Sequence, residues 1–387
     1  MKPEKIYREL QQHLDRQAVG FPATRSKVEL ELLQDIFTLD EAALACCLDF
    51  RPAPLPLIYT RVRHLVESEE ELQQHLDSML RKGGIERREL EGEQRYCNAP
   101  LVVGMWEFQL ARLSPERLRR FDAYTSSKNF GLAFLESKLP QMRTIPVNRS
   151  IEPEHRVSSF DEVESILAQA HEPFVILPCI CREKKAMEGT PCQKTRRKET
   201  CLATGSMASH ALHISGGRQI TRDEAIAIVD KNQKQGLVLQ PSNTERADFI
   251  CACCGCCCGM LRVQKQLPRP LEFWASNYQV RVDPDACDGC GNCVKRCQID
   301  AVHVADSAPP ARVDLERCLG CGVCVPTCPT GAMSLVKKPV EVVPPPSREE
   351  LHEILARSRK GRLGKARLFG KLVFDALRTG RTDILKR

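Results

Sequence analysis

A chain of 387 residues exceeds what one hydrophobic core usually supports, so two to four domains are expected. Its hydrophobic content of 42% is ordinary for a globular protein, but 21 cysteines are not. The net charge of +7 lies in the C-terminal tail: from Ser347 onward there are 12 Lys and Arg against 5 Asp and Glu, while the preceding 346 residues carry 45 of each sign. A polyanion-binding surface spread over the whole protein is thereby excluded.

In chain order, residues 28–48 (VELELLQDIFTLDEAALACCL) place apolar residues at helical spacing and read as one helix, with PLPLIYTRV as a second. A third opens on Ser68 and Glu71, the S-x-x-E capping pattern, and ends at Gly83 and Gly84. ERRELEGEQRYCN alternates and turns at Glu91-Gly92, as a β-hairpin does. Helices followed by a hairpin is the order of a winged helix, so residues 1–103 are assigned to a winged-helix-like domain. Between Glu67 and Leu80 its third helix carries Glu67, Glu69, Glu70, Glu71 and Asp77 and no Lys or Arg. That is the wrong sign for phosphate, so a protein-contact module is expected and nucleic-acid binding is not. Cys46, Cys47 and Cys97 lie in this region, and the Cys46-Cys47 pair in ALACCLDF reads as helix core.

Residues 104–142 read as a helical connector. RTIPVNRSI (143–151) is extended, Ser159 and Glu162 cap a helix running to Ala170, and PFVILPC is a strand ending at Cys179. Thr221 and Glu224 cap a helix closed by Gly236, and GLVLQPSN supplies another strand. Residues 143–270 therefore form an α+β domain with cysteines at strand ends and in loops. Residues 271–338 contain an internal repeat, 339–347 are a Pro-rich linker, and 348–387 are a basic amphipathic helical tail. Leu368, Phe369, Leu372, Val373, Ala376 and Leu377 share one face of that helix, among Lys365, Arg367, Lys371 and Arg378. Such a face docks on a partner subunit, makes peripheral contact with an anionic membrane or covers the protein's own core. The expected fold class is multidomain α+β.

The repeat aligns VRVDPDACDGCGNCVKRCQIDAVHV with ARVDLERCLGCGVCVPTCPTGAMSL, each half containing C-x2-C-x2-C-x3-C. The first motif is Cys287, Cys290, Cys293 and Cys297; the second is Cys318, Cys321, Cys324 and Cys328. This segment resembles a bacterial two-cluster [4Fe–4S] ferredoxin domain. In that family three cysteines of one motif bind a cluster and the fourth goes to the other. The resemblance implies one [4Fe–4S] cluster on Cys287, Cys290, Cys293 and Cys328, and another on Cys318, Cys321, Cys324 and Cys297. Gly289, Gly291, Gly320 and Gly322 allow tight turns that aim N–H groups at the sulfurs. Pro329 follows the second motif, but Gln298 stands where the first would have proline.

Ten further cysteines precede the repeat. Cys179, Cys181, Cys192 and Cys201 form C-x-C-x10-C-x8-C, and FICACCGCCCGM contributes Cys251, Cys253, Cys254, Cys256, Cys257 and Cys258. All ten are candidate metal ligands, and the two groups are expected to face each other. Adjacent cysteines in an extended chain point to opposite sides, so three in a row do not readily serve one cluster. Seven basic residues stand against three acidic ones from Cys179 to Cys201, an environment that favours thiolates. Iron–sulfur binding leads here, with one or two further clusters; redox-switch thiols and inert buried cysteine are the alternatives. The whole arrangement is similar to a group of proteins of anaerobic bacteria that join a winged-helix-like N-terminus, a CCGCCC-bearing middle and a ferredoxin module. VVGMWEF, CICR, ETCL and GLVLQPSN belong to that pattern, which implies no reaction.

No dinucleotide fingerprint, P-loop or nucleophile elbow is present. The N-terminal MKPEKIYRELQQHLDRQ has no apolar core of a signal peptide, and no run of about 18 apolar residues occurs. The expectation is a cytoplasmic iron–sulfur protein that passes single electrons between redox partner proteins, an electron carrier or oxidoreductase subunit more than a free-standing enzyme. A redox-responsive winged-helix regulator and a reductase with its active-site cluster in the central domain are the rivals.

Overall fold

The computed structural model describes residues 3–137, 139–150, 158–214, 216–305 and 308–382. The chain begins with α1 (Pro3–Asp15), α2 (Val28–Ile36) and α3 (Leu39–Ala45), followed by β1 (Ala53–Pro54), α4 (Leu55–Val62) and α5 (Glu69–Arg81). The segment read as one helix over 28–48 is therefore two. Thr38 breaks it: its hydroxyl accepts from Glu41 N–H, while the Glu41 carboxylate accepts from Thr38 N–H at 2.8 Å. A reciprocal capping box of this kind starts a new helix wherever it falls. At α5, Ser68 caps as expected, but Glu71 accepts from Glu67 N–H instead of closing the box.

Next come β2 (Ile85–Leu90) and β3 (Glu93–Asn98), which pair in register across a two-residue turn with Glu91 at φ 54° and Gly92 at φ 77°. The β1 strand adds to β3, giving the order β1-β3-β2. The connector is only partly helical: a 3-10 segment Glu107–Arg112, then α6 (Pro115–Thr125) and α7 (Lys128–Phe134). Ser114 and Ser127 divide it by capping these two helices.

The middle of the chain is built on a five-stranded antiparallel sheet in the order β6-β4-β5-β8-β7. Its strands are β4 (Phe174–Pro178), β5 (Glu199–Thr204), β6 (Arg218–Ile220), β7 (Val238–Pro241) and β8 (Phe249–Cys253). The helices are α8 (Val163–Gln169), α9 (Ile180–Met187), α10 (Gly205–Ile214), α11 (Arg222–Lys234) and α12 (Gly259–Gln266). Helix α8 starts from Glu162 without a side-chain cap, so the expected Ser159 start does not form. Side chains alternate along the strands. Phe174, Ile176, Leu202, Leu239, Ile250 and Ala252 face one side with Val163 and Leu167 of α8 and Ala225 and Val229 of α11. Val175 and Ala203 face the other side with Ala208 and Ala211 of α10.

The repeat forms two antiparallel ribbons, β9 (Tyr278–Val282) with β12 (Met333–Lys337) and β10 (Val302–Ala305) with β11 (Ala308–Val313), around the short helix α13 (Asn292–Arg296). The tail is α14 (Arg348–Arg357) and α15 (Arg362–Thr379). Its apolar face turns inward: Leu368 and Leu372 pack on Leu135, Leu267 and Phe273. Leu377, read from the sequence as part of that face, is exposed, as is Phe374. Among the described residues no helix is long and apolar enough to cross a membrane.

A buried ionic network fastens tail, hairpin and central sheet. Arg348 donates to Glu86 at 2.8 Å and to Asp248 at 3.0 Å, while Arg88 donates to Glu86 at 2.8 Å and Glu349 at 2.7 Å. Removing one cation from a buried network leaves an uncompensated carboxylate. Arg348→Met is expected to cost about 3 kcal/mol, read by urea denaturation of the full chain.

Candidate metal centres

The ten central cysteines separate into two groups, and strand β8 is what separates them. Its pairing with β5 sets Leu202 opposite Ile250 and Ala203 opposite Phe249, which carries Cys201 next to Cys251. Period-two alternation then puts Cys251 and Cys253 on the same face as Cys201. Cys179 follows the end of β4 and precedes α9, whose first turn carries Cys181; Cys258 is the residue before α12. These six thiols form a closed ring. Cys179 touches Cys181 and Cys201, Cys201 touches Cys251, Cys251 touches Cys253, Cys253 touches Cys258, and Cys258 touches Cys181.

Cys254 is one residue past the strand and points to the opposite face, into the α8 and α11 core. The chain then turns tightly, with Cys258 N–H bonded to Cys254 O at 3.0 Å, and the turn brings Cys256 and Cys257 back onto Cys254. Cys192 joins them from the loop between α9 and β5. The four Sγ atoms lie within 4.8 Å of one another. The expectation that consecutive cysteines diverge thus holds at 253/254 and at 257/258. It fails at 256/257, where the backbone is a turn and not a strand. Cys192, grouped by sequence with Cys179, Cys181 and Cys201, belongs to the other site.

In each group one thiol is shifted toward ionisation. Contacts from Cys181 and Cys201 lower the Cys179 thiol well below its usual range, and those from Cys254 and Cys257 do the same for Cys256. Arg182 supplies the countercharge. It is 5% exposed and donates to Thr200 Oγ1 and to Ala252 O at 2.7 Å. Burial opposes its charge, but the sulfurs of Cys179, Cys201, Cys254 and Cys192 overcome that and keep it protonated. One guanidinium therefore serves both groups. Gln240, directly across from Cys251 on β7, is fully buried, and both its side-chain oxygen and nitrogen lack partners. A buried amide beside a sulfur ring is a donor in want of an acceptor, which fits a sulfide-rich group there.

The ring opens on a cavity of about 550 Å³ that Trp106, Phe121, Phe130 and Met260 line with apolar surface. Glu107 also lines it. Burial pushes that carboxyl up to about 7, although it accepts from Gly104 N–H at 2.8 Å.

In the repeat, Gly289, Gly291, Gly320 and Gly322 all adopt φ between +62° and +72°. At Gly320 a Cβ would lie 2.0 Å from Tyr278 O, so a side chain is excluded there. Cys297 lies among the second motif's thiols: burial, and then the Cys297 charge among others, raises Cys318, Cys321 and Cys324. Cys293 is raised by burial and then by Cys287 and Cys290. Backbone N–H groups already reach sulfur, Ala301 to Cys297 and Ala311 to Cys287, each at 3.3 Å.

Residues 279–330 match the family of 4Fe-4S dicluster domains. The match covers both cysteine motifs, and the chain contains a ferredoxin-type iron–sulfur domain. No curated protein and no solved structure matches.

The dicluster domain is fastened to the central cysteines at two points. Arg317, 1% exposed, donates to Leu267 O at 2.8 Å and to Lys265 O at 3.0 Å, the C-terminal carbonyls of the α12 region. Cys258 of the ring thus lies at one end of α12, and the residue before Cys318 caps the other. The second point is Gln298, the residue that departs from the proline pattern. Its side chain accepts from Gly255 N–H at 2.9 Å and donates to Gly236 O at 2.9 Å. Gly255 lies in the cysteine turn, and Gln298 follows Cys297. The departure was visible in the sequence, but nothing in the chain order said what it would touch. Glu107 and Gln240 lie inside the VVGMWEF and GLVLQPSN segments, but nothing in those segments marked either residue as facing the cysteines.

Two outcomes follow. A Cβ on residue 255 would stand 2.0 Å from Gln298 O, so Gly255→Ala is expected to cost about 2 kcal/mol in thermal unfolding. Arg182→Met removes a cation that two sulfur groups share. It should cost about 3 kcal/mol, with Arg182→Lys recovering part of that in the same assay.

Proposed function

We propose that this protein is an iron–sulfur electron-transfer protein in which the dicluster domain exchanges single electrons with a further iron–sulfur centre on the six-cysteine ring. In the dicluster domain Cys287, Cys290, Cys293 and Cys328 would hold one [4Fe–4S] cluster and Cys318, Cys321, Cys324 and Cys297 the other. The grouping of Cys297 with the second motif supports that assignment. In the central domain Cys179, Cys181, Cys201, Cys251, Cys253 and Cys258 are the ligands. The observation that carries the reading is the closed ring of six thiols, joined through α12 and Arg317 to the residue before Cys318. Arg182 offsets the negative charge of a thiolate-bound cluster, which favours its reduced form. The Gln240 amide is placed to donate to it. The partners are redox proteins that exchange electrons with the dicluster domain.

Acid-labile sulfide per chain, after anaerobic purification, tests this. Two cubanes bring about eight sulfides; the proposal expects about twelve or more. It also expects Cys201→Ser/Cys251→Ser to return the count to about eight with the dicluster signals intact. A wild-type count of about eight sinks the ring centre.

The cavity favours a second reading, in which the ring centre is the active site of a reductase. A void of about 550 Å³ is of small-molecule size, and Glu107 is the carboxyl placed on its wall. Mössbauer spectra should then show an iron of the ring centre without a full set of cysteine ligands; complete cysteine ligation would end this reading. A DNA-binding regulator gains no support. Helix α5 exposes Glu69 and Glu70, and the hairpin is occupied by α10, with Glu89 N–H donating to Ser206 Oγ at 3.0 Å. The N-terminal domain is read as a module that packs on its own central domain. Absence of a mobility shift with duplex DNA at low salt is the expected result.

A further inference from the structure

We infer that Cys192, Cys254, Cys256 and Cys257 form a mononuclear tetrathiolate site for one thiophilic divalent ion, zinc or iron, separate from any iron–sulfur cluster. The spacing of the sulfurs carries this. Cys192 Sγ is 3.6 Å from Cys254 Sγ and 3.9 Å from Cys256 Sγ, and Cys256 Sγ is 3.5 Å from Cys254 Sγ and 3.7 Å from Cys257 Sγ. Four sulfurs on one tetrahedral ion, with bonds of ~2.3 Å, stand about 3.8 Å apart. In a cubane each thiolate is on a different iron and points outward from its corner, so the four sulfurs stay apart. The six-thiol ring is wider: among the described residues no three of its sulfurs lie within 4.8 Å of one another, as the sulfurs of Cys192, Cys254, Cys256 and Cys257 do.

Chain geometry agrees. Three of the four sulfurs come from one turn, 254–257, which can fold around an ion but is too short to encircle a cube of four irons. Tetrahedral sulfur ligation is the chemistry that zinc and iron accept. Arg182 faces Cys254 and Cys192 and offsets the excess negative charge of four thiolates on a dication.

The place of the site gives it a use. Cys192 belongs to an exposed loop that also reaches the dicluster domain, where Lys194 donates to Lys295 O at 3.2 Å. The other three cysteines flank Gly255, which Gln298 holds at 2.9 Å. One ion would clip loop to turn and so fix the turn against the segment that bears Cys297. This inference stands apart from the electron-transfer reading. A ring cluster is counted in sulfide, whereas this site contributes one metal and no sulfide.

The test is zinc, iron and acid-labile sulfide measured on the anaerobically purified full chain and on Cys192→Ser and Cys192→Ser/Cys256→Ser. The expected result is loss of one metal per chain with sulfide unchanged; whether zinc or iron disappears identifies the ion. Loss of about four irons together with four sulfides would assign the group to a cubane and overturn the inference. The wild-type protein gives a check that needs no variant. It should contain either one zinc or one iron in excess of sulfide, with X-ray absorption at the zinc edge, in the zinc case, showing four sulfurs at ~2.3 Å. Iron equal to sulfide with no zinc overturns the inference even if the variants do not fold.

Discussion

The placement of every central sulfur depends on one constraint, that side chains of an extended strand alternate between its two faces. Strand β8 obeys it from Phe249 to Cys253, so Cys251 and Cys253 go to one side of the sheet while Ile250 and Ala252 fill the α8 and α11 core. Cys254 is the next residue and falls on the core side. The strand ends there, and the tight turn that follows returns Cys256 and Cys257 to Cys254 before Cys258 crosses back to begin α12. A dense cysteine run therefore supplies two sites on opposite faces of one sheet without any sulfur being shared.

Two adjacent clusters of thiols repel each other once ionised, and a single buried guanidinium answers that repulsion. Arg182 is anchored by Thr200 and by the Ala252 carbonyl, one from each of the strands that carry ring cysteines. Its position is a consequence of the sheet, since β5 and β8 are neighbours. The same economy appears at the domain junctions. Gln298 spans Gly255 and Gly236, Arg317 takes the last carbonyls of α12, and Arg348 joins hairpin to sheet. Each is a polar side chain, buried or nearly so, that satisfies backbone or carboxylate groups which domain packing removes from water. The Gln298 and Arg317 contacts tie the dicluster segment to the cysteine turn and to the end of α12.

Much of the fold and of the iron–sulfur site is legible in the sequence. The C-x2-C-x2-C-x3-C repeat is a local pattern, because a cluster-binding loop is made of residues close in sequence, with glycines where positive φ is needed. The β2–β3 hairpin and the α11 capping box were legible for the same reason. The structure departs from the periodicity where a local signal or tertiary packing overrides it. The Thr38–Glu41 box divided a helix that periodicity alone had joined, and helix α15 buries Leu368 and Leu372 while leaving Leu377 in solvent.

By itself the sequence determined that the chain carries iron–sulfur chemistry, where the ferredoxin-type domain lies and that the middle holds a surplus of sulfur. Only tertiary structure decided how that surplus is divided. Cys192 leaves its sequence neighbours for a partner set about sixty residues away, because loop closure and strand pairing, not chain order, set which sulfurs meet. Gln298, Gln240 and Glu107 likewise acquire their roles from groups distant in the chain, and no local pattern encodes a long-range contact.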